Sequence, residues 1–476
     1  MGKVIKSYIH VIIALLIGIV CLLFIPSANG LTELGVKVLA VFFPVLYLWL
    51  TVGTDWPCWL SLMLLVFTGV MTPAQVFADS YGNSLIITVI GMMAFSKVLV
   101  DTGVIDTVVK WFATRELVRN HPYRFIIIIS IVEGVAAIVM NVSALILIFI
   151  AFISALCEEI GYKKGDPFYT ALMIGLFWIA NAFNAASPLG HSLPLILMST
   201  ASAAGQEVTI AQWLAVGIPI AVIVSVAAVL IICLVWRPEA SKFMNYDIDA
   251  HRKEIRPFTT EGKVTLVLLV ALILYWVLPS VFPNMLVGNA KTLYDTWGSN
   301  MPVIIGLALL CIIHVKGKPV TTFKQATSTT SITTITFIGC VIVLGNAISN
   351  ADTGISDWLA NILNPLTSSM SMFAYITLLS LFFIVLTNFI SNTVCMMLYY
   401  NLAVPVFVAA GLPTASLTVI ICFVASFASL VPSSSTFAPF FFDGNHITIQ
   451  NTWKWNALMI IVTWALISFV AYPITV

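Results

Sequence analysis

The sequence predicts an all-α, polytopic membrane protein, and three observations carry that prediction. Of the 476 residues, 60% are hydrophobic and only 9% are charged, against roughly 25% charged in an ordinary soluble protein. Mean hydropathy is +1.06. The apolar residues run continuously instead of alternating at every second position, which excludes a transmembrane β-barrel. A soluble chain of this length would need polar surface for about two or three cores. Its 21 basic and 20 acidic residues do not supply that surface.

The net charge of +1 offers nothing to nucleic acid. Cysteines 21, 58, 157, 233, 311, 340, 395 and 422 all sit in apolar stretches and form no C-x-x-C pair, so no disulfide framework or metal site is indicated. The first apolar run, Tyr8 to Ile25, follows Lys3 and Lys6 and is read as an uncleaved first span.

Spans are expected near 8–26, 34–52, 57–71, 84–100, 167–201, 213–236, 264–282, 301–314, 331–349, 414–443 and 455–474. Lys and Arg set the orientation. With Lys3 and Lys6 inside, nearly every other basic residue also falls inside, and only Lys37 and Lys291 fall outside. That asymmetry predicts about 11 crossings, with the N-terminus cytoplasmic and the C-terminus outside. The expected location is the bacterial cytoplasmic membrane. The charged stretch 237–263 reads as a cytoplasmic linker. It separates a first repeat, 34–236, preceded by the first helix within 1–33, from a second repeat, 264–476.

A duplication underlies that division. Asp-Thr-Gly-Val-Ile-Asp at 101–106 returns as Asp-Thr-Gly-Ile-Ser-Asp at 352–357, an offset of 251. The same offset carries Asn141 onto Asn392 and Pro188 onto Pro439. Residues 101–124 hold four Lys or Arg and residues 352–375 hold none, so the copies face opposite sides. Inverted repeats of this kind are a signature of secondary transporters.

Four interrupted segments mark the expected site. Segment 125–157 is read as a re-entrant hairpin tipped at Met140-Asn141-Val142-Ser143, with arms of about 15 residues, or roughly 22 Å. A full crossing needs about 30 Å. Segment 371–410 is its counterpart, tipped at Ser391-Asn392-Thr393, with Asn388 one turn earlier. Segment 167–201 is too long for one span and carries Ser187, Pro188, His191 and Pro194 at its middle, so it is read as a broken helix. Segment 414–443 repeats the pattern with Pro432, Ser433, Ser434, Ser435, Thr436 and Pro439. Helix breaks expose N–H groups suited to an anion. Freed carbonyls and Asn or Ser oxygens suit a hard cation. The expected substrate contacts are Asn141, Ser187, Pro188, His191, Asn392, Thr393, Ser433, Ser434, Ser435 and Thr436. The expected sodium ligands are Asn141, Ser143, Ser391 and Asn392. Glu133, an ionisable group two turns before the first tip, is the candidate coupling residue; the competing reading has it facing a cytoplasmic vestibule. For His191 the alternatives are a donor to substrate and a loop histidine bonded to local backbone.

These residues resemble the divalent anion/sodium symporters of the wider ion transporter superfamily. Ser391-Asn392-Thr393 matches that family's Ser-Asn-Thr tip in full, and the first tip matches at Asn141. Ser187-Pro188 is similar to its first broken-helix loop, without the Pro-Pro-Asn ending. Leu48-Trp49 ahead of Thr54-Asp55-Trp56-Pro57 resembles its early Trp and Thr-Glu pattern. The resemblance implies sodium-driven transport of a small anion such as a dicarboxylate, citrate or sulfate, by an elevator-type movement, in a homodimer. A proton-coupled carrier, or an exchanger or efflux antiporter of the same superfamily, remains the alternative. The scattered histidines and the lack of H-E-x-x-H or G-x-S-x-G speak against an enzyme. No cofactor is expected beyond sodium as co-substrate.

Overall fold

Threonine side chains start many of the helices. Thr72, Thr209 and Thr322 each accept the backbone N–H of a glutamine three residues on, and that glutamine reaches back to the threonine N–H. Prolines open others at the first turn, where their missing N–H costs nothing. The computed structural model describes all residues except 1, 53–54, 141, 190, 254, 256, 282–285, 299–300, 329, 331, 356, 359–360, 362–369, 432–433, 436, 443–445 and 476. The described residues are mostly helical, and they include one two-stranded ribbon, β1 (His314–Val315) and β2 (Lys318–Pro319).

The first half contains α1 (Gly2–Phe24), α2 (Glu33–Thr51), α3 (Trp56–Phe67), α4 (Pro73–Asp79), α5 (Ser84–Asp101), α6 (Val104–Ala113), α7 (Pro122–Val139), α8 (Val142–Glu159), α9 (Pro167–Ala186), α10 (Ser192–Ala203) and α11 (Ile210–Leu230). A short α12 (Ile248–Lys253) lies in the central charged stretch. The second half contains α13 (Thr260–Val281), α14 (Asn289–Trp297), α15 (Met301–Ile312), α16 (Phe323–Ala326), α17 (Ile332–Ser349), α18 (Met372–Leu386), α19 (Asn392–Ala409), α20 (Ala415–Ser426), α21 (Ala438–Phe442), α22 (Ile449–Leu466) and α23 (Tyr472–Thr475). The helix α9 is buried along its whole length and forms the axis of the core. Helix α1 instead exposes Leu15, Leu16, Ile19 and Leu23. Among the described residues, five helices are individually long and apolar enough to cross a membrane, and α5 with α6 adds a sixth candidate bent by 59°.

Two features differ from the sequence reading. Both arms of the first hairpin, α7 and α8, have 18 residues, or about 27 Å. Arm length therefore no longer separates a re-entrant hairpin from two crossings. The stretch 237–263 is also more than a tether. Its Phe243 and Tyr246 pack on Phe125 and Phe168, and Arg252 and Asp249 pair with Glu116 and Arg119 at 2.9 Å each.

The duplicated Asp-Thr-Gly motifs adopt the same local structure. Gly103 and Gly354 both take left-handed backbone, at φ +71° and +63°. Each turn is held by a threonine at the start of a helix in the other half. Thr32 caps α2 by accepting the Gly35 N–H at 3.2 Å, and its hydroxyl faces the Asp352 and Thr353 carbonyls at 2.8 and 3.0 Å. Thr259 accepts the Gly262 N–H at 3.0 Å and donates to the Thr102 carbonyl at 3.3 Å. The two clasps differ in tightness. A Cβ on Gly354 would lie 1.8 Å from the Gly30 carbonyl oxygen, whereas one on Gly103 would meet open space. Both Gly→Ala changes incur the left-handed cost of about 1–2 kcal/mol, and only Gly354→Ala adds a backbone clash. Gly354→Ala is therefore expected to lower the melting temperature in detergent by several degrees more than Gly103→Ala. Equal shifts would contradict the clasp.

Candidate functional site

The first break follows from Ser187 and Pro188. Backbone at Ser187 turns extended, at φ −137° and ψ 126°, and Pro188 cannot donate to continue the helix. The buried Ser187 hydroxyl donates to the Ile138 carbonyl at 2.5 Å, in the last turn of α7. It also accepts the Leu189 N–H at 3.2 Å. The Trp213 indole N–H takes the Ala185 carbonyl at 2.9 Å. Helix α10 then restarts with His191 as its cap, whose Nδ1 accepts the Leu193 N–H at 3.1 Å. That bond places the proton of a neutral ring on Nε2.

Helices α7 and α9 run side by side in the same direction. Ile138 meets Ser187, and one turn earlier Gly134 meets the Phe183 ring, 2.6 Å from where a Cβ would stand. Glu133 lies on the inward face of α7, opposite the exposed Ile127, Ile131 and Val135. It is 0% exposed, and neither carboxyl oxygen has a hydrogen-bond partner among the described residues.

The second break is held almost wholly by side-chain amides and hydroxyls. Helix α20 ends at Ser426, and its freed backbone groups find partners from four directions. Thr387, at the tip of the second hairpin, bonds the Ala425 carbonyl and faces Asn392 Oδ1 at 3.0 Å. Asn388 Oδ1 accepts the Ser429 and Leu430 N–H groups at 2.9 and 3.0 Å, while its Nδ2 donates to the Ile384 carbonyl at 2.8 Å. Asn181 Nδ2 and Ser434 Oγ both donate to the Ala428 carbonyl at 3.2 Å. Asn456 Nδ2 donates to the Ser429 carbonyl at 2.7 Å and is oriented by the Trp178 indole at 2.8 Å. Freed backbone at this depth is tolerated only when satisfied in this way.

Acceptors without donors remain around the two breaks. Asn181 Oδ1, Asn184 Oδ1, Ser429 Oγ and both Glu133 oxygens are buried and have no partner among the described residues. Helices α10 and α19 begin beside the same region, and α19 has no side-chain cap. The site thus offers neutral oxygens for a cation and helix N-termini for an anion.

A family model described as "Citrate transporter" matches residues 38–425. The chain belongs to the citrate transporter family. The transporter's fold also matches a solved structure, that of the Alcanivorax borkumensis YdaH transporter, whose report describes an unusual topology. That alignment has a TM-score of 0.53 and covers 83% of this chain and 86% of the other, at 10% identity. Comparison with curated proteins gives no match. The chain is a helical integral membrane transporter and not an enzyme.

Of the transporter's expected site residues, Asn141, Ser433, Thr436 and the Ser143 side chain lie outside the described residues. Ser187, Pro188, His191, Asn392 and Ser434 lie at the breaks and tips. Ser391 and Thr393 flank Asn392 and are half-buried like it. Ser435 accepts the Ala438 N–H at 3.2 Å and so starts α21. Several expectations change. The Ser187 hydroxyl spends its one proton as a strut between α9 and α7. The second break opens at Phe427, five residues ahead of Pro432, and among the described residues the five-residue α21 is the next helix. Side chains from other segments satisfy its freed backbone. Glu133 is fully buried, and its carboxyl faces no vestibule in this conformation. For His191, the local backbone bond is the one present.

Sequence reasoning missed Thr387, Trp178, Trp213 and Asn456. It also assigned no role to Asn181 or Asn184. The available signal was an amide inside an apolar helix, as at Asn456, where an unpaired amide would be costly.

Proposed function

We propose that this transporter is a secondary active importer of a small carboxylate anion, citrate or a dicarboxylate, coupled to sodium and working by elevator-type alternating access. The observation that carries the reading is the second break, where the hairpin tip Thr387–Thr393 grips the freed backbone of α20. Movement of one element there changes the bonding of the other. The matched geometry of the two Asp-Thr-Gly turns supports inverted repeats. The region between Ser187 and Ser435 holds unpartnered oxygens and helix N-termini. None of the four interrupted segments places a Lys or Arg at its tip or break. Neutral donors contribute modestly, about 0.5–1.5 kcal/mol each. A co-bound cation therefore supplies much of the attraction for the anion. Under this reading Ser391, Asn392 and the freed carbonyls form the better sodium site, Asn141 and Ser143 a weaker one, and His191 Nε2–H is a donor to carboxylate. Homodimerisation and an N-terminus in the cytoplasm belong to the same proposal.

Glu133 favours one alternative, coupling to protons, because a buried carboxyl without a partner is suited to carry one. A thermal-shift screen of the purified protein separates the readings. Citrate, succinate, sulfate, a neutral sugar and a cationic amine are each tested with sodium and with choline. Ligand at a hundred times its Kd stabilises the folded state by about 2.7 kcal/mol. A carboxylate is expected to raise the melting temperature, and more so in sodium. A shift confined to the sugar or the amine would overturn the anion assignment.

A further inference from the structure

A cavity of about 670 Å³ lies away from both breaks, between α5, α10, α17 and the segment leading into α11. Its mouth is formed by the exposed Ser84, Ser202 and Glu207, and its closed inner end by the buried Thr88, Ser199 and Ile342. No Lys, Arg or His lines it. The Glu207 carboxylate has no ion-pair partner among the described residues. A second carboxylate stands behind the wall, where Asn346 Nδ2 donates to Asp79 Oδ2 at 3.4 Å. The remaining polar lining consists of hydroxyls and amides, whose oxygens suit a hydrated cation.

The shape gives this lining a direction. Leu195, Met198, Ser199 and Ser202 lie along one face of α10 at helical spacing. One turn further on, the same face reaches His191 at the first break. Space of this size holds roughly twenty waters at about 30 Å³ each. A cleft lined by one sign of charge concentrates ions of the opposite sign, by roughly tenfold or more.

We propose that this cavity is a cation-collecting antechamber, in which the coupling cation gathers before passing along α10 to the first break. Glu207 is the residue that sets its potential. The proposal rests on the cation-coupled reading above, and it separates the route of the cation from that of the anion, which Glu207 would repel.

The test is a labelling experiment that does not depend on transport. Ser202→Cys is made in the otherwise native chain, whose eight cysteines are all free, and background labelling of the native chain is subtracted. Modification by a cationic trimethylammonium-ethyl thiosulfonate is compared with that by an anionic sulfonato-ethyl thiosulfonate. Each rate is normalised to that of a free thiol in solution. The cationic reagent is expected to be favoured by about tenfold at low salt, with the preference shrinking in high salt. Adding Glu207→Gln should cut the preference at least about threefold, since it removes the carboxylate charge at the mouth. A preference for the anionic reagent, no preference, no labelling, or a preference indifferent to Glu207→Gln would each overturn the antechamber. In proteoliposomes at low ionic strength, Glu207→Gln should raise the sodium concentration for half-maximal uptake and leave the substrate KM at saturating sodium unchanged. An unchanged sodium requirement in the variant would remove Glu207 from the cation's route. Uptake by the native chain that ignores sodium would instead sink the sodium-coupled reading, while the labelling ratio would still decide the nature of the cavity.

Discussion

Asn388→Ala is expected to abolish uptake and to lower the melting temperature more than any other single change at the second hairpin tip. Asn388 is 0% exposed and serves three backbone groups at once, the Ser429 and Leu430 N–H groups and the Ile384 carbonyl. Alanine leaves two donors unsatisfied in a buried place. Each unsatisfied group costs about 1–3 kcal/mol, and water that enters would recover part of that. The break would then lose its register against the hairpin tip. Asn388→Asp keeps the accepting oxygen and should recover much of the thermal stability. Uptake and melting temperature in Asn388→Ala equal to those of the native chain would show that the break does not depend on the tip.

Glu133→Gln is expected to reduce uptake by at least about tenfold without lowering the melting temperature. Burying a carboxyl without a partner is costly, and ionisable groups inside a membrane protein are usually retained for function. Glutamine keeps the shape, removes the charge and cannot release a proton. A purely structural carboxyl would make the change a loss of stability with little effect on the residual rate per folded molecule. Proton coupling through Glu133 predicts that the pH dependence of uptake disappears in the variant. Native uptake rates at every pH in Glu133→Gln would remove the residue from the coupling mechanism.

The architecture was legible because its signals are physical and repeated. Composition required a membrane solvent, and Pro188 with Ser187 marked a break that the structure places at that point. The Asp-Thr-Gly repeat was legible as a duplication, and the structure adds that each copy turns at a left-handed glycine. The partners of those turns, Thr32 and Thr259, were not legible, because a threonine before a helix signals a cap and not what lies on its far side. The second break was misplaced for a related reason. Pro432 and Pro439 drew attention downstream, whereas the helix ends at Ser426, and Thr387, Asn388, Asn181 and Asn456 converge there from distant parts of the chain. Long-range amide pairing leaves no spacing in the sequence. Glu133 was noticed as an anomaly, and only the packing of α7 beside α9 showed that it is sealed from water.

The most direct measurement is uptake of radiolabelled citrate into proteoliposomes, with and without an inward sodium gradient. Succinate, sulfate, a neutral sugar and a cationic amine serve as competitors. The account predicts saturable uptake that is accelerated by the sodium gradient, exchanges with internal citrate, and is inhibited only by anions. Uptake that does not saturate, or that is inhibited by the sugar or the amine and not by carboxylates, would contradict it.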